Sequence, residues 1–211
     1  MFGSQWFGSG GGTTEGAVTF TGKAGSSSNA TSYTISVACG DGGDMVVAAY
    51  GQSGGDPSVT TFTLDGQTIT VKAYEKDDSE VALYIGTCSG VSSGDNDCVV
   101  GWNRSMYRTM IFVWKVEDVG IGAMRQAVSA EAYNDTMSAY QTGSVVIAAT
   151  GTQSSTAFTG ASGLTYNGNE AQESNAAGAS ALAADASTSF SFTISITGER
   201  ATLVALELSA G

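Results

Sequence analysis

Residues 44–51 decide the fold and read DMVVAAYG, one acidic residue followed by an unbroken apolar run and a glycine. A run this short, rich in Val and Ala, is typical of a β-strand that is buried on both faces. A glycine-rich turn, residues 40–43, precedes it. Before that turn, residues 32–38 alternate apolar and polar side chains, which predicts a half-buried strand. The stretch therefore predicts two successive strands.

More strands are predicted along the whole chain. Residues 59–64 and 67–74 flank the pair Asp65-Gly66, which is the strongest short signal for a β-hairpin. One short helix, residues 121–132, is predicted from a run of Ala, Met, Gln and Glu. Because predicted strands far outnumber this single short helix, we expect an all-β fold. Its remaining strands are predicted at residues 17–21, 80–86, 109–117, 144–150, 176–186, 189–197 and 201–209.

The deciding stretch has a counterpart about a hundred residues later, because residues 144–151 read SVVIAATG. Residues 64–66 and 108–113 likewise have counterparts in residues 166–168 and 200–205. Two similar halves, about residues 32–118 and 132–209, therefore lie in tandem. They form either the two sheets of one sandwich or two small sandwiches in series. No linker of Pro, charge or low complexity separates them, which favours one jelly-roll-like antiparallel β-sandwich over residues 15–211.

The N-terminal residues 1–14 differ from the rest of the chain. They hold Phe2, Trp6 and Phe7 among Gly and Ser, without any period. Such a segment has little to bury itself against alone, yet its aromatic rings suit docking into a neighbouring molecule. We expect an extended N-terminal arm that docks onto a partner. The alternative is a disordered tail.

Composition limits the partners. The net charge is −12 with only 8 Lys and Arg residues, so the chain lacks the cations that nucleic acid and anionic membranes require. No apolar run approaches the length of a membrane span. Residues 1–12 lack the basic start and apolar stretch of a signal peptide.

The chain offers little for catalysis. It contains no His, the commonest general base and zinc ligand, so we expect no enzyme activity. A glycoside hydrolase needs only two carboxylates, but nothing singles out one pair among 20 acidic residues. No cofactor is expected. Calcium is a candidate metal, for which the acidic segment that contains Asp95 and Asp97 is best suited, and the alternative is a solvated turn.

Aromatic residues in predicted loops are the other candidate contacts. Trp102 and Tyr166 are the two most suited to stack on a sugar ring, and the alternative is that they close the ends of the sandwich. Cys88 and Cys98 flank a Gly/Ser/Asp segment across which a disulfide would fit. An odd total of three Cys favours buried thiols instead.

The order of strand, glycine-rich acidic turn and apolar strand over residues 31–47 resembles β-sandwich modules in virion proteins of tailed bacteriophages. The closing strand, residues 202–208, and the aromatic arm extend the likeness. The resemblance implies a structural role in a phage particle: capsid decoration, neck, tail or fibre. It implies partners that are copies of the chain and other virion proteins, and assembly in the host cytoplasm. A module that binds glycan or another host-surface ligand is the alternative function.

Overall fold

The fold contains β-strands and no helix among the residues that the structure describes. The computed structural model describes residues 16–77, 80–120, 134–138, 144–153, 160–162, 164–171, 175–182, 187–193 and 201–210.

In the described ranges, nine strands belong to the first half of the chain and eight to the second. In the first half they are β1 (Ala17–Ser26), β2 (Ala30–Ala38), β3 (Gly43–Gln52), β4 (Val59–Leu64), β5 (Gln67–Thr68), β6 (Thr70–Asp77), β7 (Val81–Val91), β8 (Asp95–Met106) and β9 (Arg108–Glu117). In the second half they are β10 (Val119–Gly120), β11 (Asn134–Ser138), β12 (Val145–Thr152), β13 (Gly160–Ser162), β14 (Thr165–Ala171), β15 (Asn175–Leu182), β16 (Ser187–Thr193) and β17 (Ala201–Ala210).

The first half is a jelly roll. Its five-stranded sheet has the order β1-β9-β3-β7-β6, and its four-stranded sheet has the order β2-β8-β4-β5. Strands β5 and β6 are two parts of one bent strand, interrupted at Ile69, that passes from the smaller sheet to the larger. Counted this way, eight antiparallel strands alternate between two sheets in the connection order of a jelly roll.

The second half repeats this strand order. Its sheets are β10-β17-β12-β15-β14 and β11-β16-β13. Each second-half strand occupies the position of a first-half strand: β12 corresponds to β3, β17 to β9 and β15 to β7. Within the part of the second half that the structure describes, no strand corresponds to the short β5. The sequence repeat is therefore a repeat of fold, and the predicted class of a jelly-roll-like sandwich with two repeated halves is confirmed.

The two five-stranded sheets pack face to face around one shared apolar core. Tyr50, Phe112 and Trp114 enter it from the first half, and Ile147 and Leu206 enter it from the second. Strand β17 lies against β6 and β7, β9 lies against β15, and β3 contacts β12. Each half supplies two sheets, so this arrangement differs from the favoured expectation that each half forms one sheet of a single sandwich. The central pair takes one sheet from each half, and the two smaller sheets lie outside it.

A second core lies between the five-stranded and four-stranded sheets of the first half. It contains Tyr33, Phe62 and Trp102. Strand β3 contributes to both cores because successive side chains of a strand point to opposite faces. This explains why the deciding stretch is apolar without alternation. Met45, Val47 and Ala49 lie in this second core, and Val46, Ala48 and Tyr50 lie in the shared core.

Every strand predicted from the sequence overlaps a strand of the structure. The Asp65-Gly66 hairpin is confirmed, with φ of 51° and 73° at the two turn residues, as a type I′ turn requires. Strand β8 was not predicted, because Asp, Asn and Ser punctuate it like a loop. The helix predicted for residues 121–132 and the arm of residues 1–14 lie outside the described residues.

Candidate functional site

The calcium hypothesis placed Asp95 and Asp97 in a loop, but both residues lie in β8 and point to solvent. Their strand neighbours are Ala38 and Ser36 of β2. Within the described part of the chain, no group of three or more His, Cys, Asp or Glu side chains is placed to hold a metal ion. Two exposed carboxylates on a strand do not supply the several oxygens that calcium takes.

Trp102 is not a loop aromatic, and that prediction is wrong. It lies in β8 with 4% of its surface exposed, and its indole Nε1 donates a hydrogen bond to Thr109 Oγ1 at 3.0 Å. A ring enclosed in this way presents no face to a sugar. The ring instead packs in the core between the two first-half sheets.

Tyr166 also lies in a strand, β14, rather than in a loop. The residue is half-buried, and burial raises the pKa of its phenol. The docking residues proposed from the sequence, Phe2, Trp6 and Phe7, lie outside the described residues. The two predicted aromatic contacts that the structure describes, Trp102 and Tyr166, lie in separate strands, β8 and β14.

The three cysteines are free, buried thiols. Cys88 lies in β7 and Cys98 in β8, and both belong with Cys39 to the core between the two first-half sheets. The disulfide across the 92–94 turn is absent. Burial, reinforced by the nearby Cys39 thiol and Asp44, raises the pKa of Cys88 to about 12.

Among the described residues, a surface feature suited to binding lies at the open edge of the first jelly roll. Strand β6 is the last strand of the five-stranded sheet, and no described strand pairs with its outer side. An open cleft of about 500 Å³ lies there, lined by Asp56, Tyr74, Glu75 and Lys76. We call these four residues the edge cleft.

An aromatic stack supports one wall of the edge cleft. Tyr74 is 51% exposed, and its ring stacks on that of Tyr84 with centroids 5.2 Å apart and planes 16° apart. Tyr84 in turn meets Trp102 edge-on at 6.0 Å. The stack therefore runs from the buried core to the surface and holds the Tyr74 ring in place.

The loop between β3 and β4 supplies the opposite wall. Ser58 N donates to Asn103 Oδ1 at 2.9 Å, and Asn103 Nδ2 donates to the Asp56 carbonyl oxygen at 3.3 Å. Within the loop, Ser53 Oγ donates to the Gly55 carbonyl oxygen at 2.8 Å. These bonds fix the backbone on either side of the Asp56 carboxylate.

Lys76 joins the two walls. Its Nζ lies 3.2 Å from Asp56 Oδ1 and 2.5 Å from Ser58 Oγ, and 6.0 Å from the centroid of the Tyr74 ring. Partial burial would lower the pKa of this ammonium, but the hydrogen bond to Asp56 and nearby negative charge outweigh burial and raise it. The ammonium therefore stays charged across the physiological range.

The edge cleft carries groups that can bind a small polar ligand. It offers one ring face, the Asp56 carboxylate as hydrogen-bond acceptor and the Lys76 ammonium as donor. Its lining contains no Ser–His or Cys–His pair, and the chain has no His at all. Sequence reasoning missed Tyr74. A signal was present, because Lys72 and Lys76 flank Tyr74 in β6 and lysines are common on strands at the edge of a sheet. A ring on such an edge strand can remain exposed.

Comparison with protein-family models, with curated proteins and with solved structures finds no match to this chain. Among the described residues, no helix is long and apolar enough to cross a membrane.

Proposed function

We propose that this protein is a non-enzymatic structural component of a tailed-phage particle, assembled in the host cytoplasm with copies of itself and other virion proteins. The observation that carries the proposal is the tandem jelly roll, two units of one strand order fused through a shared core. Jelly rolls are a recurring architecture of viral capsid and lectin domains. The support is an architectural analogy, joined to the sequence resemblance to phage virion modules.

The burial of the sheets supports a scaffolding role. Strands β3 and β12 lie at the centres of their sheets, and every residue of β12 is buried, as are residues 45–52 of β3. A unit built this way is rigid, because its apolar faces are already covered inside the molecule. Contacts with neighbouring molecules are then made by the outer surface. We assign docking onto a neighbour to Phe2, Trp6 and Phe7 of the N-terminal arm.

Deleting residues 1–14 tests the arm. The shortened protein should keep the β-rich circular dichroism spectrum of the full chain, because the deletion retains every residue of the described strands and of the two described cores. It should lose self-association in analytical ultracentrifugation and incorporation into purified particles. Replacing Phe2, Trp6 and Phe7 with Ala should have the same effect, whereas replacing Ser4 and Gln5 with Ala should have none. Full incorporation of the shortened protein would contradict the arm hypothesis.

The second candidate function is recognition of a host-surface glycan. The edge cleft favours it, because an exposed and supported ring beside polar groups is the arrangement that sugar binding uses.

A further inference from the structure

We propose that the edge cleft is a binding subsite for a neutral pyranose sugar, with the ring of Tyr74 as its stacking platform and Asp56 and Lys76 as its hydrogen-bonding partners. This proposal is independent of the phage-particle assignment, because it concerns a surface of the first jelly roll and requires no assembly.

The ring of Tyr74 is already held in position without a ligand. Among the described residues, the large apolar side chains that remain exposed are Val71, Tyr74 and Tyr107. Of these, Tyr74 is stacked on a second ring that contacts a third, buried ring. A ring held in this way loses little conformational entropy on binding, which favours affinity from a small contact.

The polar groups suit hydroxyl groups in number and type. Asp56 has 73% of its side chain exposed, so its carboxylate can accept hydrogen bonds beyond the one from Lys76. The ammonium of Lys76 carries three donor hydrogens. A sugar ring that stacks on Tyr74 would therefore find acceptors and a donor next to its edge. The cleft volume lies within the roughly 300–1,000 Å³ range of small-molecule sites.

A second β-strand is a poorer occupant of this edge. Strand β6 has an irregular register between Val71 and Ala73 and carries Lys72 and Lys76. Bulges and lysines are the devices that protect sheet edges against pairing with another chain. The exposed ring beside them is consequently better suited to a small ligand than to an added strand.

Charge selects a neutral sugar. In the cleft the Asp56 carboxylate is paired with the Lys76 ammonium, so these two side chains together carry no net charge. The whole chain adds a net charge of −12. A neutral sugar suits this balanced pair, whereas an acidic saccharide would meet repulsion from the negative charge of the whole chain.

Saturation-transfer NMR on the full chain tests the subsite. The neutral probes are maltohexaose, mannohexaose, cellohexaose and chitotetraose, and the acidic probes are oligosialic acid and a hexauronate. We expect a neutral probe to bind with a Kd on the order of 1 mM, as suits an open site with one ring contact. Tyr74→Ala should weaken that binding about tenfold. Tyr74→Phe should retain it, and Asp56→Asn should weaken it without changing the ring.

Val71→Ala is the matched control, since it shortens an exposed apolar side chain on the same strand outside the cleft lining. It should leave binding unchanged, and thermal unfolding of each variant checks that the fold persists. The proposal is overturned by no binding of any neutral probe at about 10 mM, tenfold above the expected Kd. It is also overturned by binding of acidic probes alone, or by equal loss in Val71→Ala and Tyr74→Ala. None of these outcomes depends on incorporation into a particle.

Discussion

At the scale of single residues, the thiols show how burial controls chemistry. Cys39, Cys88 and Cys98 are buried together, and burial is the first cause of the raised pKa of each. A shift of the Cys88 pKa from 9.0 to about 12 lowers its thiolate fraction at neutral pH about a thousandfold. Because the thiolate is the reactive form, the native protein should be inert to thiol reagents.

We therefore predict that 5,5′-dithiobis(2-nitrobenzoic acid) at pH 8 titrates all three thiols only after unfolding.

The free energy of unfolding should also depend on pH in one direction. The thiol contribution is complete below pH 9, the unfolded pKa, and is lost as the pH rises toward the folded pKa of about 12, because the unfolded state then releases protons more readily.

Urea unfolding between pH 7 and pH 11 measures that loss. Cys88→Ala should flatten the decline above pH 9 relative to the unchanged chain. Rapid labelling of the folded protein at pH 8, or identical pH profiles for the two proteins, would contradict the prediction.

At the scale of elements, the sequence repeat predicts where the strands lie but not which face of the sheet each side chain occupies. The repeat aligns Tyr50 with Thr150. The strand ladders instead place Tyr50 in the position of Gly151: Tyr50 pairs with Met110 of β9, and Gly151 pairs with Thr202, the counterpart of Met110 in β17. A displacement of one residue turns every side chain to the other face.

This displacement explains what the sequence could and could not predict. Apolar runs and a left-handed Asp65-Gly66 turn are local signals, so the strands and the hairpin were predictable. Whether Trp102 or Tyr74 is exposed depends on which sheet covers each strand. That follows from pairing between distant segments, which no local pattern contains.

The contact between β3 and β12 yields a second prediction. Tyr50 fills the space beside Gly151, where an added Cβ would overlap its ring, and its hydroxyl donates to the Thr152 carbonyl oxygen at 2.9 Å. Gly151→Ala should therefore destabilise the protein by about 1–3 kcal/mol through overpacking.

A double-mutant cycle in urea separates this overlap from other effects. In the background of Tyr50→Leu the ring is gone, so the cost of Gly151→Ala should fall by at least about 1 kcal/mol. An equal cost in both backgrounds would mean that the two residues do not compete for the same space.

At the scale of the whole molecule, the shared core makes the two jelly rolls one thermodynamic unit. Each five-stranded sheet gives one apolar face to that core, so separating the halves would expose both faces to water. Hydrogen bonds also cross between the halves. Trp114 Nε1 donates to Asn167 Oδ1 at 2.8 Å, and Trp114 is fully buried.

We therefore predict one cooperative unfolding transition for the full chain rather than two. Calorimetric and van't Hoff enthalpies should agree, and tryptophan fluorescence should change together with circular dichroism. The variant Asn167→Leu removes the acceptor of the Trp114 N–H and should cost about 1–3 kcal/mol. The single transition should then move down by about 2–4 °C for each kcal/mol lost, without splitting.

The position of Trp114 makes this variant informative. The indole belongs to the first half and its acceptor to the second, so a loss that acted on one half alone would separate the two enthalpies. Val71→Ala is the control, because it removes exposed surface away from both cores and should leave the transition in place. Two resolved heat-capacity peaks in the unchanged protein would show that the halves unfold independently and that the shared core does not couple them.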